Sequence, residues 1–294
     1  MKINPEFLSD GGFRYEYIGH SYKNLTKVQY FTLRSFIAQE KYRKQNKNKN
    51  KIKKIKKLVN LYHGPALVLA NGPSLVNINE NVIKEFSKNK ALFTINNFLN
   101  SKFTHSIIPT YHFICDNAYW NINDNAKVDY RDKIKKIQSR NDMILVQPDH
   151  QTDYLNKNTL YIRKNPLTGF TKSIDITKVN GLPNYTIYFA IATAIYLGYS
   201  PVYVAGLDLD YYKFIDYNNN LGWVLKEHHF YNSDSYSIDS WQYRDTLLRI
   251  LNSNMSMIYY LKLFQKYDVR LVADQRVSTS LNNTRIYEFN NYLK

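Results

Sequence analysis

Residues 65–75 read PALVLANGPSL, and this stretch decides the fold. The apolar run from Pro65 to Ala70 breaks abruptly into Asn71, Gly72, Pro73 and Ser74. A short, continuous apolar run closed by turn residues reads as a buried strand that enters a tight turn and then a helix. Gly72 lets the backbone approach a neighbour or a ligand closely. Pro73 presets a turn or the first helical position, and a helix starting there offers unpaired N–H groups to an anion. Ser74 adds a hydroxyl contact. An ordinary strand-to-helix turn uses the same residues, so the stretch alone leaves both readings open. It is neither the six-residue dinucleotide fingerprint nor a P-loop.

Working outward, the pattern repeats. Residues 91–95 form a strand candidate ended by Asn96 and Asn97, and residues 111–115 another ended by Asp116 and Asn117. A further candidate at 143–147 ends in Pro148 and Asp149, and the one at 202–205 ends in Gly206, Leu207 and Asp208. Residues 185–197 are apolar with helical period and stop at Gly198; 255–267 reads as a helix before a strand at 269–273. Strands alternating with helices predict an α/β fold, a Rossmann-like and mostly parallel sheet with helices on both faces. Ligands of such sheets bind beyond the carboxyl ends of the strands. The polar clusters that end these strands are therefore expected to meet at one crevice.

The 294 residues, 44% hydrophobic and 15% aromatic, suffice for one large core or two small ones and argue against disorder over most of the chain. No apolar run reaches the roughly 18 residues that span a bilayer. Residues 1–10 lack a basic then apolar leader pattern, so no signal peptide is expected. The single cysteine, Cys115, sits in an apolar strand and reads as core rather than nucleophile. One thiol forms no internal disulfide, and no Cys/His cluster has zinc spacing, so a reducing cytoplasmic location is expected.

The net charge is +16, and ten basic residues with no acid lie between positions 41 and 57, Lys41 and Lys57 included. Ile52, Ile55, Leu58 and Val59 recur among these lysines at helical spacing. Three readings fit. A basic amphipathic helix lies on an anionic membrane, each lysine near the surface contributing about 1 kcal/mol; a solvated helix links two parts of the chain; or the segment meets nucleic acid. Residues 1–62 are thus read as a helical, basic N-terminal extension and 63–294 as the binding domain, with a lid segment at about 210–245.

Two further clusters carry chemistry. Asp208 and Asp210, with Tyr211 and Tyr212 after them, follow a strand. Carboxylates so spaced accept from sugar hydroxyls, hold a hard divalent ion, or cap a turn. Glu227, His228, His229, Phe230 and Tyr231 offer an imidazole near operating pH as a general base, or simply a surface pair of histidines. Adjacent histidines share no helix face, which argues against zinc.

In this order, LVLANGPSL at 67–75, IYFAIATAIYLGYSPVYVAGLDLDYY at 187–212 and EHHFY at 227–231 resemble the bacterial sialyltransferases of lipooligosaccharide. They also resemble the related MptE-like proteins, among them the motility accessory factors that transfer nonulosonates to flagellin. Residues 258–289, with the turn at Ser280 and Leu281, are similar to the last helix and strand of those families, so the likeness runs over roughly 64–290. It implies a glycosyltransferase that moves sialic acid, a related nonulosonate or Kdo from a CMP-sugar donor to a hydroxyl of a surface glycan or glycolipid. By the same likeness Asn71, Gly72, Pro73 and Ser74 meet the cytidine monophosphate, as do Asn96 or Asn97 and Asp116 or Asn117. Gly206 and Asp208 match the family's glycine and aspartate, and Tyr211 or Tyr212 approaches the phosphate. His228 or His229, with His229 favoured, takes the acceptor proton. Thr186 falls near a Thr-Ser-Gly of the sialyltransferases, but Asn184-Tyr185-Thr186 departs from it, which puts cytosine contacts from that loop in doubt. No metal and no cofactor beyond the donor is implied. The basic segment would hold the enzyme peripherally on the inner face of a membrane. The MptE-like likeness also permits a Mg²⁺-dependent pyrophosphokinase. A non-enzymatic nucleic-acid-binding protein is motivated by the charge alone, and no nucleic-acid module is visible.

Overall fold

The run that opens the fold is strand β1 (Ala66–Leu69), buried along its whole length. A computed structural model describes residues 37, 51–101, 103, 106–115, 142–149, 158–164, 173–180, 182, 185–208, 215–218, 222–228, 233–238, 263–273, 282–284 and 286–291. Around β1 lie β2 (Ala91–Ile95), β3 (Tyr111–Phe113), β4 (Ile144–Pro148), β5 (Thr159–Ile162) and β6 (Val202–Ala205). A small antiparallel sheet follows, made of β7 (Ile215–Asn218), β8 (Gly222–His228) and β9 (Ser233–Ile238). β10 (Val269–Val272) and β11 (Asn282–Thr284) complete the main sheet. Its order is β11-β10-β6-β1-β2-β3-β4-β5, and each neighbouring pair is parallel. The fold is therefore the expected α/β, Rossmann-like one. The strands at β5 and β11 were not anticipated, and β7 to β9 fall inside the segment read as a lid.

Both faces of the sheet are covered, which is why its inner strands are mostly apolar rather than alternating, with the buried Thr94 Oγ1 and His112 Nδ1 2.8 Å apart and hydrogen-bonded to each other. Against one face packs α3 (Thr186–Leu197), with ten of its twelve residues buried; a helix apolar all round can only be an interior one. Val68, Phe93, Phe113 and Val146 meet it from the sheet. Against the other face pack α2 (Glu80–Asn89), through Val82, Ile83 and Phe86, and Phe289 of α4 (Ile286–Asn290), meeting Leu67, Leu69 and Leu92. Asn79 caps α2 by accepting from Asn81 N at 2.9 Å. Among the described residues no helix is long and apolar enough to cross a membrane.

The basic segment behaves differently from its sequence pattern. Its final part forms α1 (Lys53–Lys56), and there Ile52 and Ile55 enter the core on the α3 side, Ile55 with no exposed surface. Two of the four apolar residues read as one face, Ile52 and Ile55, are thus taken up by the protein's own interior, whereas Val59 is 48% exposed and Lys53, Lys54, Lys56 and Lys57 are exposed. Downstream, Asn60 N and Tyr62 N donate to Tyr196 O and Leu197 O, both at 3.0 Å, at the carboxyl end of α3. Tyr62 stacks on Tyr199 at 5.4 Å, and Tyr199 stands edge-on to Phe93. Burial first, and then the neighbouring Tyr199 and Tyr62, raise the Tyr111 hydroxyl well above its ordinary value, so this cluster stays neutral and hydrogen-bonded. Residues 51–62, assigned from the sequence to an extension, are packed on the domain.

Replacing Ile55 by Ala removes a buried side chain and is expected to lower stability by about 2–5 kcal/mol. Lys54→Ala, on the exposed side of the same turn, is expected to change it by less than about 0.5 kcal/mol. Equilibrium urea unfolding of the two variants measures the difference.

Candidate functional site

From β1 the chain steps outward through β2, β3, β4 and β5, then returns through α3 to β6, on the other side of β1. Strand order therefore reverses between β1 and β6. The crevice outside the carboxyl ends at such a reversal is where open α/β sheets take ligands. The residues that end these two strands are Asn71 to Ser74 and Gly206 to Asp208.

These two ends are tied to each other. Ala70 N donates to Ala205 O at 2.8 Å and Gly72 N to Gly206 O at 2.9 Å, carrying the pairing past the strands. Beyond them the Asp208 carboxylate accepts twice from one residue: Ser74 N donates to Oδ2 at 2.8 Å, and Ser74 Oγ donates to Oδ1. The fit explains Gly72. A Cβ there would lie 2.5 Å from both Asp208 Oδ2 and Gly206 O, inside van der Waals contact. Gly206 holds φ at +70°, a left-handed conformation that side chains rarely adopt, and turns the chain so that Asp208 faces the β1 turn.

Pro73 begins a 3-10 turn, Pro73–Asn77, and α2 starts only at Glu80. The helix N-terminus expected directly after Pro73 is absent from that position, and one of its amides, Ser74 N, already serves Asp208. The N-terminus of α3 does stand at this edge. Its N-cap, Tyr185, makes no side-chain cap, and no acid lies in the first turn. Thr186, the first residue of α3, donates from Oγ1 to Asn96 Oδ1 at 3.2 Å. Asn96 ends β2 with φ at +46° and opens the 3-10 turn that also holds Asn97. Asn71 closes the circle: its Nδ2 donates to Ile95 O at 3.4 Å, and its Oδ1 is buried without a partner. A buried acceptor left unpaired costs about 1–3 kcal/mol unless something donates to it.

Asn71, Gly72, Pro73, Ser74, Asn96, Asn97, Thr186, Gly206 and Asp208 thus gather at the carboxyl ends of β1, β2 and β6 and the start of α3. Asp116, Asn117, Tyr211, Tyr212 and His229 lie outside the described residues, as does Asp210. His228 closes β8, opposite Ser233 of β9. Cys115 is in no disulfide and is buried in the core, as its sequence context suggested. Among the described residues no three His, Cys, Asp or Glu side chains cluster. The sequence reading passed over one charged residue at this edge. Lys164, after β5, is only 7% exposed, and its Nζ donates to Cys115 O at the end of β3.

Gly72→Ala forces the Asp208 carboxylate or the β6 turn aside and is expected to cost about 1–3 kcal/mol. A double-mutant cycle of Ser74→Ala and Asp208→Asn, read by urea unfolding, is expected to return a coupling of about 1 kcal/mol or more, because the pair acts as a unit.

A family model described as 6-hydroxymethylpterin diphosphokinase MptE-like matches residues 41–214. No curated protein sequence matches the chain. Among solved structures, a MAf glycosyltransferase from Magnetospirillum magneticum AMB-1 is similar at 14% identity and a TM-score of 0.44, over 76% of this chain and 34% of that one. The chain therefore spans about a third of that protein's length. The family match runs from the basic segment through β1, α3 and β6 and takes in the whole of the described crevice, and on it this protein belongs to the MptE-like family.

Proposed function

We propose that this protein is a glycosyltransferase that moves an acidic sugar from a CMP-sugar to a hydroxyl of a bacterial surface glycan. The observation that carries the reading is the convergence of the β1, β2 and β6 ends with the start of α3, where Asn71 Oδ1 is buried without a partner and the N-cap of α3, Tyr185, makes no side-chain cap. A ribose or base hydrogen donated to Asn71 Oδ1 relieves a buried, unsatisfied group. The α3 amides, with the helix dipole behind them, suit a phosphate. Asp208 fixes the cradle through Ser74 rather than holding a metal, and Gly72 leaves room for the backbone to meet the nucleotide.

In this reading His229, or its neighbour His228, removes the proton of the acceptor hydroxyl. The freed oxygen attacks the anomeric carbon as the bond from that carbon to the phosphate oxygen breaks, and the configuration inverts. CMP departs as a phosphate monoester, its developing charge met by the α3 amides and by the hydroxyl of Tyr211 or Tyr212. The exposed Lys53, Lys54, Lys56 and Lys57 attract the enzyme to anionic lipid or phosphorylated glycolipid at the inner face of a membrane.

The family description motivates a second reading, a pyrophosphokinase. That chemistry transfers a diphosphate from ATP and depends on Mg²⁺. A thermal-shift panel of CMP, UMP, GDP and ATP, with and without Mg²⁺, separates the two. CMP is expected to stabilise the protein without metal, and a ligand at 100 times its Kd adds about 2.7 kcal/mol. Stabilisation by ATP and Mg²⁺ alone would sink the transferase reading. With donor and acceptor present, His229→Ala is expected to lower kcat by about 10²–10⁴ while CMP binding persists. Full turnover in a variant lacking both histidines rejects the general-base assignment.

A further inference from the structure

We propose that the β1 turn is the hydrogen-accepting end of the donor site: Asn71 Oδ1 takes a hydrogen from the nucleoside, and the clasp between Ser74 and Asp208 keeps the phosphate out of the turn. The inference rests on the reading of the crevice as a CMP-sugar site and fixes which way round the donor lies in it.

A glycine-containing turn after a strand holds a phosphate when its first amides have no partner in the protein. Here those amides can be followed one by one. Gly72 N donates to Gly206 O at 2.9 Å. Pro73 has no N–H. Ser74 N donates to Asp208 Oδ2 at 2.8 Å, and Ser74 Oγ donates to Asp208 Oδ1. Leu75 N turns back to Gly72 O at 3.2 Å. Each of these groups carries a single hydrogen, so from Gly72 to Leu75 every one is engaged by an oxygen of the protein. An anion arriving at the turn would have to displace the carboxylate from Ser74, and hydrogen bonds to an ionised acceptor are the stronger kind. There is no room for a phosphate between turn and carboxylate either. A single carbon added to Gly72 would already lie 2.5 Å from Asp208 Oδ2.

The turn offers the opposite polarity. Asn71 donates from Nδ2 to Ile95 O at 3.4 Å. Because a carbonyl can only accept, that bond settles which end of the amide is nitrogen and leaves Oδ1 as the other end. Oδ1 is buried and receives no hydrogen. Burying an acceptor without a donor costs free energy, which a hydroxyl or an amine of a ligand recovers. A nucleoside carries both, in its ribose hydroxyls and the exocyclic amine of cytosine. The phosphodiester of a CMP-sugar carries no hydrogen and cannot serve Oδ1, and the Ser74 donors it would use are already taken. The likeness that brings residues 71–74 to the nucleotide is thereby narrowed to the nucleoside, with the phosphate and sugar directed away from Ser74.

Calorimetric titration of the full chain with cytidine, CMP, UMP, 2′-deoxy-CMP and 3′-deoxy-CMP tests this. In wild type, one of the CMP analogues is expected to bind weaker than CMP by about tenfold or more: UMP where Asn71 reads the amine, a deoxy compound where it reads a ribose hydroxyl. Asn71→Ala is expected to bind CMP and that analogue alike. Ser74→Ala is expected to keep the ratio of CMP to cytidine affinity within about threefold of wild type, because the phosphate does not rest on Ser74. Equal binding of CMP and every analogue by wild type overturns the role of Asn71 without recourse to a variant and leaves the donor reading standing. Discrimination that survives in Asn71→Ala does the same. A larger fall of the ratio in Ser74→Ala puts the phosphate on the turn and overturns its exclusion. A wild-type protein that binds neither cytidine nor CMP overturns the donor reading and this inference together.

Discussion

The double acceptance by Asp208 of Ser74 N and Ser74 Oγ is the contact on which the crevice depends. β1 and β6 are parallel neighbours, and at their carboxyl ends the ladder stops and the chains must part towards different helices. Two backbone bonds past the strands hold them together as far as Gly72 and Gly206, and the carboxylate holds them one turn further. Hydrogen bonds to an ionised acceptor are roughly twice as strong as neutral ones. Held this way, the β1 turn cannot drift, Gly72 is pressed against a carboxylate and a carbonyl, and Asn71 is left to bridge sideways to β2. Two further contacts of the site, Asn71 to Ile95 and Thr186 to Asn96, are longer and neutral, and they extend an arrangement already set at β1 and β6.

Most of the sheet could be read in advance because its inner strands are buried on both faces. Ala66–Leu69 and Val202–Ala205 are continuous apolar runs and Ala91–Ile95 is broken only by Thr94; each is closed by Asn or Gly, and their shortness sets them apart from the apolar helix Thr186–Leu197. β5 and β11 escaped for the opposite reason. Thr159–Ile162 is four residues long and half polar, and Asn282–Thr284 has no apolar residue at all. Each lies at an edge of the sheet, where one parallel neighbour supplies the hydrogen bonds and a short strand needs no long apolar run to be held.

The site was legible as a set of residue types and illegible as a set of partnerships. Asn, Gly, Ser and Asp after strands mark the right edge, but Ser74 and Asp208 are 134 positions apart, and only the fold shows that they serve each other first. Periodicity misled at Ile52 and Ile55, because a helix face that packs on a sheet and one that lies on lipid have the same pattern. Lys164 carried no signal, being one of 40 basic residues; what distinguishes it is burial, a property of position.

That burial of Ile52 and Ile55 also changes the physics of the basic segment. An amphipathic helix that inserts gains from apolar area as well as charge, and the apolar part survives high salt. Here the apolar side faces Leu160, Ile162 and the other members of the core, so α1 presents lysines from a turn fixed to the domain. What the segment turns outward is its ammonium groups, with the exposed Val59 and Leu61 after them, and the attraction of such charges to anionic headgroups fades over a Debye length of about 8 Å at physiological ionic strength. A contact of that kind is reversible and salt-sensitive. Its geometry is that of a surface patch on a rigid body, and an inserted anchor on a free arm would have neither property.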